Sequence, residues 1–108
     1  RKHPIYKYKI FHFGIDLACP KGTEVQAAAS GKVAKSAYSK SYGNYIIIDH
    51  GKYQTVYAHL SKRKVKKGDI IKKNQILALV GSTGISTGSH LHYEVIKDGK
   101  KVNPKEYL

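Results

Sequence analysis

The sequence predicts a small, mostly β domain, an antiparallel sheet or sandwich of the barrel-sandwich type. Short apolar runs rich in Ile, Val, Tyr and Thr, which strands favour, alternate with turns of Gly, Asn, Asp and Lys at intervals of roughly 8–12 residues. No window repeats its apolar residues at the helical spacing between recognisable caps. Both observations favour strands over helices along the chain.

The predicted strands can be placed in chain order. They are two strand-like pieces on either side of a turn at Ser30 and Gly31, a hairpin with arms over 44–49 and 53–59, an apolar run over 69–81, and a final hairpin over 90–104 that turns at Asp98 and Gly99. The alanines within residues 22–30 allow a helical turn, but the glycine that follows argues against a longer helix. Residues 1–10 are basic and aromatic, and we expect them to be less regular.

Length and composition indicate one domain. The chain has 108 residues, enough for one hydrophobic core. An apolar stretch of about 18 residues is absent, so no membrane span is expected. Arg1 opens the chain without an apolar signal region, so we interpret it as a mature form or an excised domain that lacks a targeting segment. The single cysteine, Cys19, excludes an internal disulfide and is interpreted as a packed residue rather than a nucleophile.

The charge of the chain is strongly positive. Twenty Lys and Arg residues against seven Asp and Glu give a net charge of +13. This excess favours an anionic partner such as nucleic acid, anionic lipid or an anionic cell-wall polymer, and its densest stretch lies at residues 61–69. No basic helix, zinc-finger spacing or RNA-binding signature accompanies it, so we expect no nucleic-acid partner. A well-solvated basic surface is the competing interpretation.

Two histidines lie close together near the end of the chain. Residues two apart in a strand share one face, so His90 and His92 are expected to face the same way, together with Glu94. The alternate residues, Leu91 and Tyr93, would then face the core. A histidine in a strand is by itself more often a packed or surface residue than a ligand, so the pair is only one part of a candidate site.

A second pair and a further histidine complete the candidate set. His12 and Asp16 lie four residues apart, which places them on one face of either a strand or a helical turn. Two histidines and a carboxylate are a ligand set for Zn²⁺ that leaves a coordination position open for water, as in catalytic rather than structural sites. His59 ends the apolar run 53–58, where strand alternation predicts a partly exposed edge.

Taken with their surroundings, these residues resemble a known family. The chain is similar to the LytM/lysostaphin-type zinc metallopeptidases of peptidase family M23 from His12 to Leu108, and its first residues resemble the usual start of that domain. The matching stretches are HFGIDLACPKGTEVQAAASGKV, YGNYIIIDHG, TVYAHLS, VKKGDIIKKNQILALVGSTGISTGSHLHYEV and VNPKEYL.

The resemblance implies a fold and a set of site residues. The family fold is a small, largely antiparallel β domain with an active-site groove across one sheet, here a single M23-type domain over residues 1–108 with 1–11 as its leading segment. The positions that match the family's zinc ligands are His12, Asp16 and His92, with one ion per chain.

The positions that match the family's two non-ligand catalytic histidines are His90 and His59. We favour His90 as the general base, because it shares a strand face with His92, and His59 as the group that polarises the carbonyl or stabilises the oxyanion. The sequence leaves these two roles interchangeable.

The same resemblance implies a function. It predicts a zinc-dependent endopeptidase that hydrolyses peptide bonds of bacterial peptidoglycan, in the stem peptide or the cross-bridge, with a metal-activated water. The partners would be peptidoglycan peptides and anionic cell-wall polymers, the location extracytoplasmic, and the chain a monomer. The positive charge fits an enzyme that stays on an anionic wall.

Three alternatives compete with this interpretation. The first is a catalytically silent wall-binding or scaffold module of the same fold, against which the five intact site residues argue. The second is a biotinyl- or lipoyl-type carrier, but no lysine lies in the acidic or Met-flanked turn that such carriers use. The third is an iron oxygenase, whose ligand set is chemically equivalent but whose surrounding motifs do not fit.

Other polar residues have lesser assignments. Glu94 is either a hydrogen-bond partner of a ligand imidazole or a strand surface residue. Asn44 is assigned to a turn, with the wall of the groove as its alternative, and His50 to the turn that follows its strand. The Gly/Ser/Thr-rich residues 81–90 are expected to shape one wall of the groove.

Overall fold

Ten strands and no helix make up the part of the chain that the computed structural model describes, residues 8–11, 14–18, 20–81 and 90–102, with side chains over 20–81 and 91–102. The strands are β1 (Tyr8–Phe11), β2 (Gly14–Ala18), β3 (Glu24–Gln26), β4 (Gly31–Ser39), β5 (Gly43–Asp49), β6 (Gln54–Arg63), β7 (Ile70–Ile71), β8 (Ile76–Val80), β9 (His90–Lys97) and β10 (Lys100–Val102). This content confirms the predicted mostly β class. Within the described residues, no helix has the length and apolar character needed to cross a membrane.

The strands form one curled sheet. Its main path runs β1-β2-β9-β6-β5-β4-β7, while β10 pairs with β9, and β8 pairs with both β3 and β6. Every pair among the described strands is antiparallel. The predicted antiparallel architecture is therefore confirmed.

Both predicted hairpins are present. β5 and β6 pair through a turn in which Gly51 has a φ of 100° and donates its N–H to Asp49 Oδ1 at 2.8 Å. β9 and β10 pair through Asp98 and Gly99, whose φ values are 54° and 77°. Positive φ at both central residues is what a tight hairpin of type I′ requires, and an Asp-Gly pair supplies it at little steric cost.

Other predictions about local structure differ from the observed fold. Tyr8–Phe11 is not irregular, because it forms β1 and pairs in register with β2. Residues 22–30 contain the short strand β3, not a helical turn, since Glu24–Gln26 pairs with β8. The apolar run over 69–81 forms two strands, β7 and β8, separated by a turn in which Asn74 has a φ of 70°.

The hydrophobic core is centred on β6. Six consecutive residues of β6, 55–60, are buried, which requires both faces of the strand to be covered. The buried cluster comprises Val25, Ala27, Val33, Ile46, Ile48, Tyr57, Leu60, Ile71, Leu77, Ala78, Val80, Tyr93 and Val95. Strand alternation therefore predicts burial poorly in β6, and it also fails locally in β5, where the neighbours Tyr45 and Ile46 are both buried.

Two buried tyrosines pack against each other in this core. The rings of Tyr57 and Tyr93 lie 5.4 Å apart between centroids. The hydroxyl of Tyr57 accepts the N–H of Ala28 at 3.0 Å. Among the described residues, the hydroxyl of Tyr93 is the buried side-chain polar atom that has no hydrogen-bond partner. An unpaired buried hydroxyl keeps its desolvation cost, so Tyr93 stabilises the fold through its ring alone.

The two tyrosines give opposite predictions for removal of the hydroxyl. Tyr93→Phe should raise the free energy of unfolding by about 1 kcal/mol, because an unpaired polar atom disappears. Tyr57→Phe should lower it by about 1–2 kcal/mol, because the N–H of Ala28 loses its acceptor. Urea denaturation of both variants checks this pair. Equal destabilisation by the two substitutions would contradict it.

Candidate active site

His92 lies in β9 between two neighbouring strands. Its register partners are Asp16 in β2 and Ala58 in β6. Directly opposite residues of antiparallel strands share one face of the sheet. The fold therefore brings two of the three predicted ligand positions, Asp16 and His92, to adjacent places on one face.

The same register locates one of the predicted catalytic positions. The backbone of His90 lies opposite Ala18 and two residues before His92, which places both histidines on the same face of β9. His12 lies outside the described residues, as do the side chains of Asp16 and His90. The roles assigned to these three residues stay predictions.

A β-bulge brings His59 beside His92. Across the β5–β6 ladder, two residues of β6, Ala58 and His59, oppose the single residue Tyr45 of β5. His59 has a left-handed φ of 62°, a conformation that histidine adopts more readily than most residues. Bulges re-aim side chains in this way. The imidazole rings of His59 and His92 lie 5.9 Å apart between centroids, at an interplanar angle of 64°.

The expectation of a partly exposed edge at His59 is wrong. His59 is 7% exposed, and β6 continues beyond it to Arg63. The part of β6 before His59 pairs with β9, and the part after it pairs with β8. His59 therefore occupies the position at which β6 changes its partner strand, which alternation along a single strand does not predict.

Hydrogen bonds hold the bulge on both sides. The N–H of His59 donates to the carbonyl of Tyr42 at 2.8 Å, and the carbonyl of His59 accepts the N–H of Gly81 at 3.0 Å. The side-chain amide of Asn44 donates to the carbonyl of Leu60 at 3.1 Å. Asn44 lies within β5, and its side chain stabilises the bulge. The prediction that Asn44 serves a turn is therefore wrong.

Gly81 allows the close approach that this arrangement needs. A Cβ atom at Gly81 would lie 2.6 Å from the backbone nitrogen and 2.7 Å from the Cα of Ser61. Real Cβ atoms do not make contacts this short with backbone atoms. A side chain at this position would therefore push β6 away from the residue that anchors the carbonyl of His59.

Glu94 is a buried carboxylate with three partners. Its Oε2 lies 2.6 Å from His92 Nε2 and 3.2 Å from Lys101 Nζ, and its Oε1 accepts the hydroxyl of Tyr42 at 2.7 Å. Burial alone would raise the pKa of Glu94, but the hydrogen bonds from His92 and Tyr42 and the charges of His92 and Lys101 outweigh it and lower the pKa to about 2. Glu94 is therefore ionised at neutral pH.

The predicted hydrogen bond between Glu94 and a site imidazole is confirmed, and Glu94 is not a surface residue, since it is 3% exposed. An ionised carboxylate only accepts hydrogen bonds, so Nε2 of His92 carries the proton. Metal coordination by a neutral His92 would then use Nδ1, the usual arrangement when a carboxylate holds the other ring nitrogen of a metal ligand.

The chemistry of these donors fits a zinc site. A carboxylate position and a histidine held in one tautomer are adjacent on the sheet. Among residues 20–81 and 91–102, no three His, Cys, Asp or Glu side chains form a group that could hold a metal ion. The predicted ligand set includes His12 and the side chain of Asp16, which lie outside those ranges.

Two further residues clarify which groups belong to the site. Tyr42, which sequence analysis missed, contacts Glu94 from the turn between β4 and β5, and no local pattern marks a tyrosine in a turn as a partner of a distant carboxylate. His50 has the structural role predicted for it. Its ring nitrogens contact the carbonyl of Ser30 at 2.7 Å and the hydroxyl of Thr55 at 2.8 Å.

Comparison with known protein families identifies the family to which this chain belongs. The model described as peptidase family M23 matches residues 10–104. The chain belongs to peptidase family M23. The family resemblance seen in the sequence and the fold that it implies are both confirmed.

Relatives and solved structures of several kinds resemble this M23 chain. It is 45% identical to the peptidoglycan DD-endopeptidase ShyA of Vibrio cholerae over 104 residues. The aligned region covers 95% of the chain and 24% of ShyA. The catalytic domain of lysostaphin, an antimicrobial peptidase from Staphylococcus simulans, superimposes with a TM-score of 0.88 at 32% identity, covering 94% of the chain and 91% of that domain.

A zinc-containing peptidase from Vibrio cholerae superimposes with a TM-score of 0.82 at 43% identity, covering 94% of this M23 chain and 32% of that structure. The chain spans about a quarter of the length of the curated relatives it matches.

Placing a side chain at Gly81 should disturb the bulge. Gly81→Ala is expected to lower the free energy of unfolding by about 1–3 kcal/mol, because the added methyl overlaps the backbone of Ser61. The NMR resonances of the His59 ring should shift in the same variant. As a control, Ser61→Ala removes only a hydroxyl bonded to the carbonyl of Leu79 at 3.3 Å and should leave His59 unchanged. Wild-type stability and an unshifted His59 in Gly81→Ala would contradict the prediction.

Proposed function

We propose that this M23 chain is a zinc-dependent endopeptidase that hydrolyses peptide bonds of bacterial peptidoglycan, in the stem peptide or the cross-bridge. The observation that carries the proposal is the register of Asp16 opposite His92, with the ring of His59 beside it. The likeness to the peptidoglycan DD-endopeptidase ShyA supports the substrate class. Because peptidoglycan lies outside the cytoplasmic membrane, we also propose that the chain acts there, as a monomer.

The proposed zinc ligands are His12, Asp16 and His92, for one ion per chain. The likeness to a zinc-containing peptidase and the tautomer that Glu94 imposes on His92 support this assignment. Zinc, when bound, would supply Lewis acidity for a water molecule and for the peptide carbonyl. Glu94 would keep the His92 ring turned so that Nδ1 serves as the donor.

The proposed catalytic histidines are His90 and His59. His90 would accept the proton of the attacking water, since it shares a strand face with His92 and an imidazole titrates near neutral pH. His59 would donate a hydrogen bond to the oxygen that gains negative charge, because its burial and its fixed backbone hold the ring in place before the substrate binds.

Cleavage of isolated peptidoglycan tests the proposed function. With equimolar zinc, the chain should release peptide fragments whose masses identify the bond that is cut. His92→Ala should lose both zinc and cleavage, whereas His90→Ala should keep zinc and lose cleavage by at least about 100-fold, the range that general-base catalysis contributes. Zinc content by mass spectrometry and fragment release are measured on the same samples.

The outcomes of this experiment separate the competing functions. If the wild-type chain holds zinc but cleaves no more peptidoglycan than His92→Ala does, the result would support a silent wall-binding module and contradict the proposal. Loss of zinc in both histidine variants would overturn the division of roles between His90 and His92. Retention of iron in place of zinc would favour the oxygenase alternative.

We also propose that a basic edge of the chain binds anionic cell-wall polymers. The basic edge is defined by the exposed residues Lys62, Lys64, Lys66, Lys67, Lys72 and Lys73. Hydrogen bonds of 2.9 Å from Gly68 N–H to the Val33 carbonyl, and from Val33 N–H to the Asp69 carbonyl, fasten this segment to β4. Asp69 is the one acidic residue among 62–73. The resulting density of positive charge favours a polyanion.

Apart from Lys62, which lies near the end of β6, the residues of the basic edge lie outside the strands that carry the candidate site. β7 lies at one end of the sheet path, and β2, β9 and β6 carry the site residues. A polymer held at the basic edge therefore need not occupy the strands that carry the histidines.

Charge reversal tests the basic edge. In the His92→Ala background, Lys66→Glu with Lys67→Glu should reduce retention on cell walls by roughly tenfold at low salt, and added salt should weaken retention of the parent protein. Lys97→Glu with Lys100→Glu makes the same charge change on the β9–β10 hairpin and should have a smaller effect. Equal losses in both double variants, or full retention on walls stripped of their phosphate polymers, would overturn the proposal.

A further inference from the structure

Tyr42 is linked to two histidines of the candidate site, directly to His59 and through Glu94 to His92. It lies in the turn between Ser39 and Gly43, which joins β4 to β5. Its carbonyl accepts the N–H of His59 at 2.8 Å, and its hydroxyl donates to Glu94 Oε1 at 2.7 Å. One residue thus anchors the bulge through its backbone and the buried carboxylate through its side chain.

The hydroxyl of Tyr42 restrains the orientation of Glu94. The carboxylate divides its two oxygens, with Oε1 on Tyr42 and Oε2 on His92 at 2.6 Å. A carboxylate held at both oxygens cannot rotate about its terminal bond without breaking one hydrogen bond. The plane in which Oε2 meets His92 is therefore set by the hydrogen bond on the other side.

Lys101 cannot perform this task equally well. Its ammonium group lies 3.2 Å from Oε2 of Glu94, but its side chain is 50% exposed. Exposed ion pairs are screened by solvent and contribute little. The hydrogen bond from Tyr42, in contrast, is partly buried and charge-assisted, which makes it stronger.

The ring of Tyr42 occupies the space beside the site. Its centroid lies 6.1 Å from that of His92 and 5.3 Å from that of Tyr45. A phenol hydroxyl carries its proton at neutral pH, so it can donate the 2.7 Å hydrogen bond to Oε1 of Glu94 that the structure shows.

We infer that Tyr42 is a positioning residue of this M23 site, whose hydroxyl acts through Glu94 to fix the tautomer and orientation of His92. The inference rests on the proposed function, in which His92 binds zinc. The hydroxyl of Tyr42 bonds to Glu94, not to His92 itself, and its link to His59 runs through its backbone carbonyl. A substitution that removes only the hydroxyl therefore tests the effect of Tyr42 on His92 and leaves its hydrogen bond to His59 in place.

Tyr42→Phe is the variant that tests this inference. It keeps the ring and the carbonyl but leaves Oε1 of Glu94 without its donor. We expect zinc affinity, measured by competition with a chromophoric chelator, to fall roughly threefold to tenfold, somewhat less than for groups that bond a metal ligand directly. In the metal-free chain, nitrogen NMR of the imidazoles should show His92 moving from one tautomer to a mixture, while His59 is unchanged.

Two controls make the result specific. Tyr45→Phe removes the hydroxyl of the neighbouring tyrosine, for which the structure shows no contact with Glu94, and should leave zinc affinity and the tautomer of His92 as in the wild type. In a Glu94→Ala background, the further change Tyr42→Phe should have little effect, because the carboxylate through which Tyr42 acts has been removed.

Three results would overturn the inference. One is an unchanged tautomer of His92 in Tyr42→Phe. Another is a loss of zinc affinity of equal size with and without Glu94→Ala. The third is a joint change of His59 and His92, which indicates a general rearrangement. The tautomer measurement needs neither zinc nor substrate. It therefore tests the positioning role of Tyr42 even if the chain proves unable to cut peptidoglycan.

Discussion

The bulge at His59 is the constraint on which the candidate site depends. Without the extra residue in β6, strand alternation would point His59 away from the face that carries Ala58 and His92. A left-handed φ at a residue other than glycine costs on the order of 1–3 kcal/mol. Hydrogen bonds from His59 to Tyr42 and from Gly81 to His59 offset this cost, and they hold the ring 5.9 Å from that of His92.

The buried carboxylate of Glu94 is stable only because its partners are already in place. A carboxylate removed from water without partners would be protonated, since burial raises its pKa. Here His92, Tyr42 and Lys101 reverse the sign of the shift and keep Glu94 charged. The charge in turn requires a proton on Nε2 of His92. The orientation of the His92 ring therefore depends on Glu94, two positions along β9, and on Tyr42 in the turn that joins β4 to β5.

The sequence could predict the features that depend on neighbouring residues. The Asp98-Gly99 turn follows from two residues that tolerate positive φ, and the shared face of His92 and Glu94 follows from the two-residue period of a strand. The burial of His59 could not be predicted in this way. It depends on the carbonyl of Tyr42 and on the missing side chain of Gly81, which reach β6 from separate parts of the chain.

Stability and site geometry are linked through the register of β9. His92 and Glu94 face the candidate site, whereas Tyr93 and Val95, the alternate residues, are buried in the core. A slip of one residue would exchange these two sets, placing charged groups in the core and apolar groups in the site. β2 and β6 pair with β9 on either side and oppose such a slip. The packing that stabilises the sheet is thus the same packing that keeps His92 opposite Asp16.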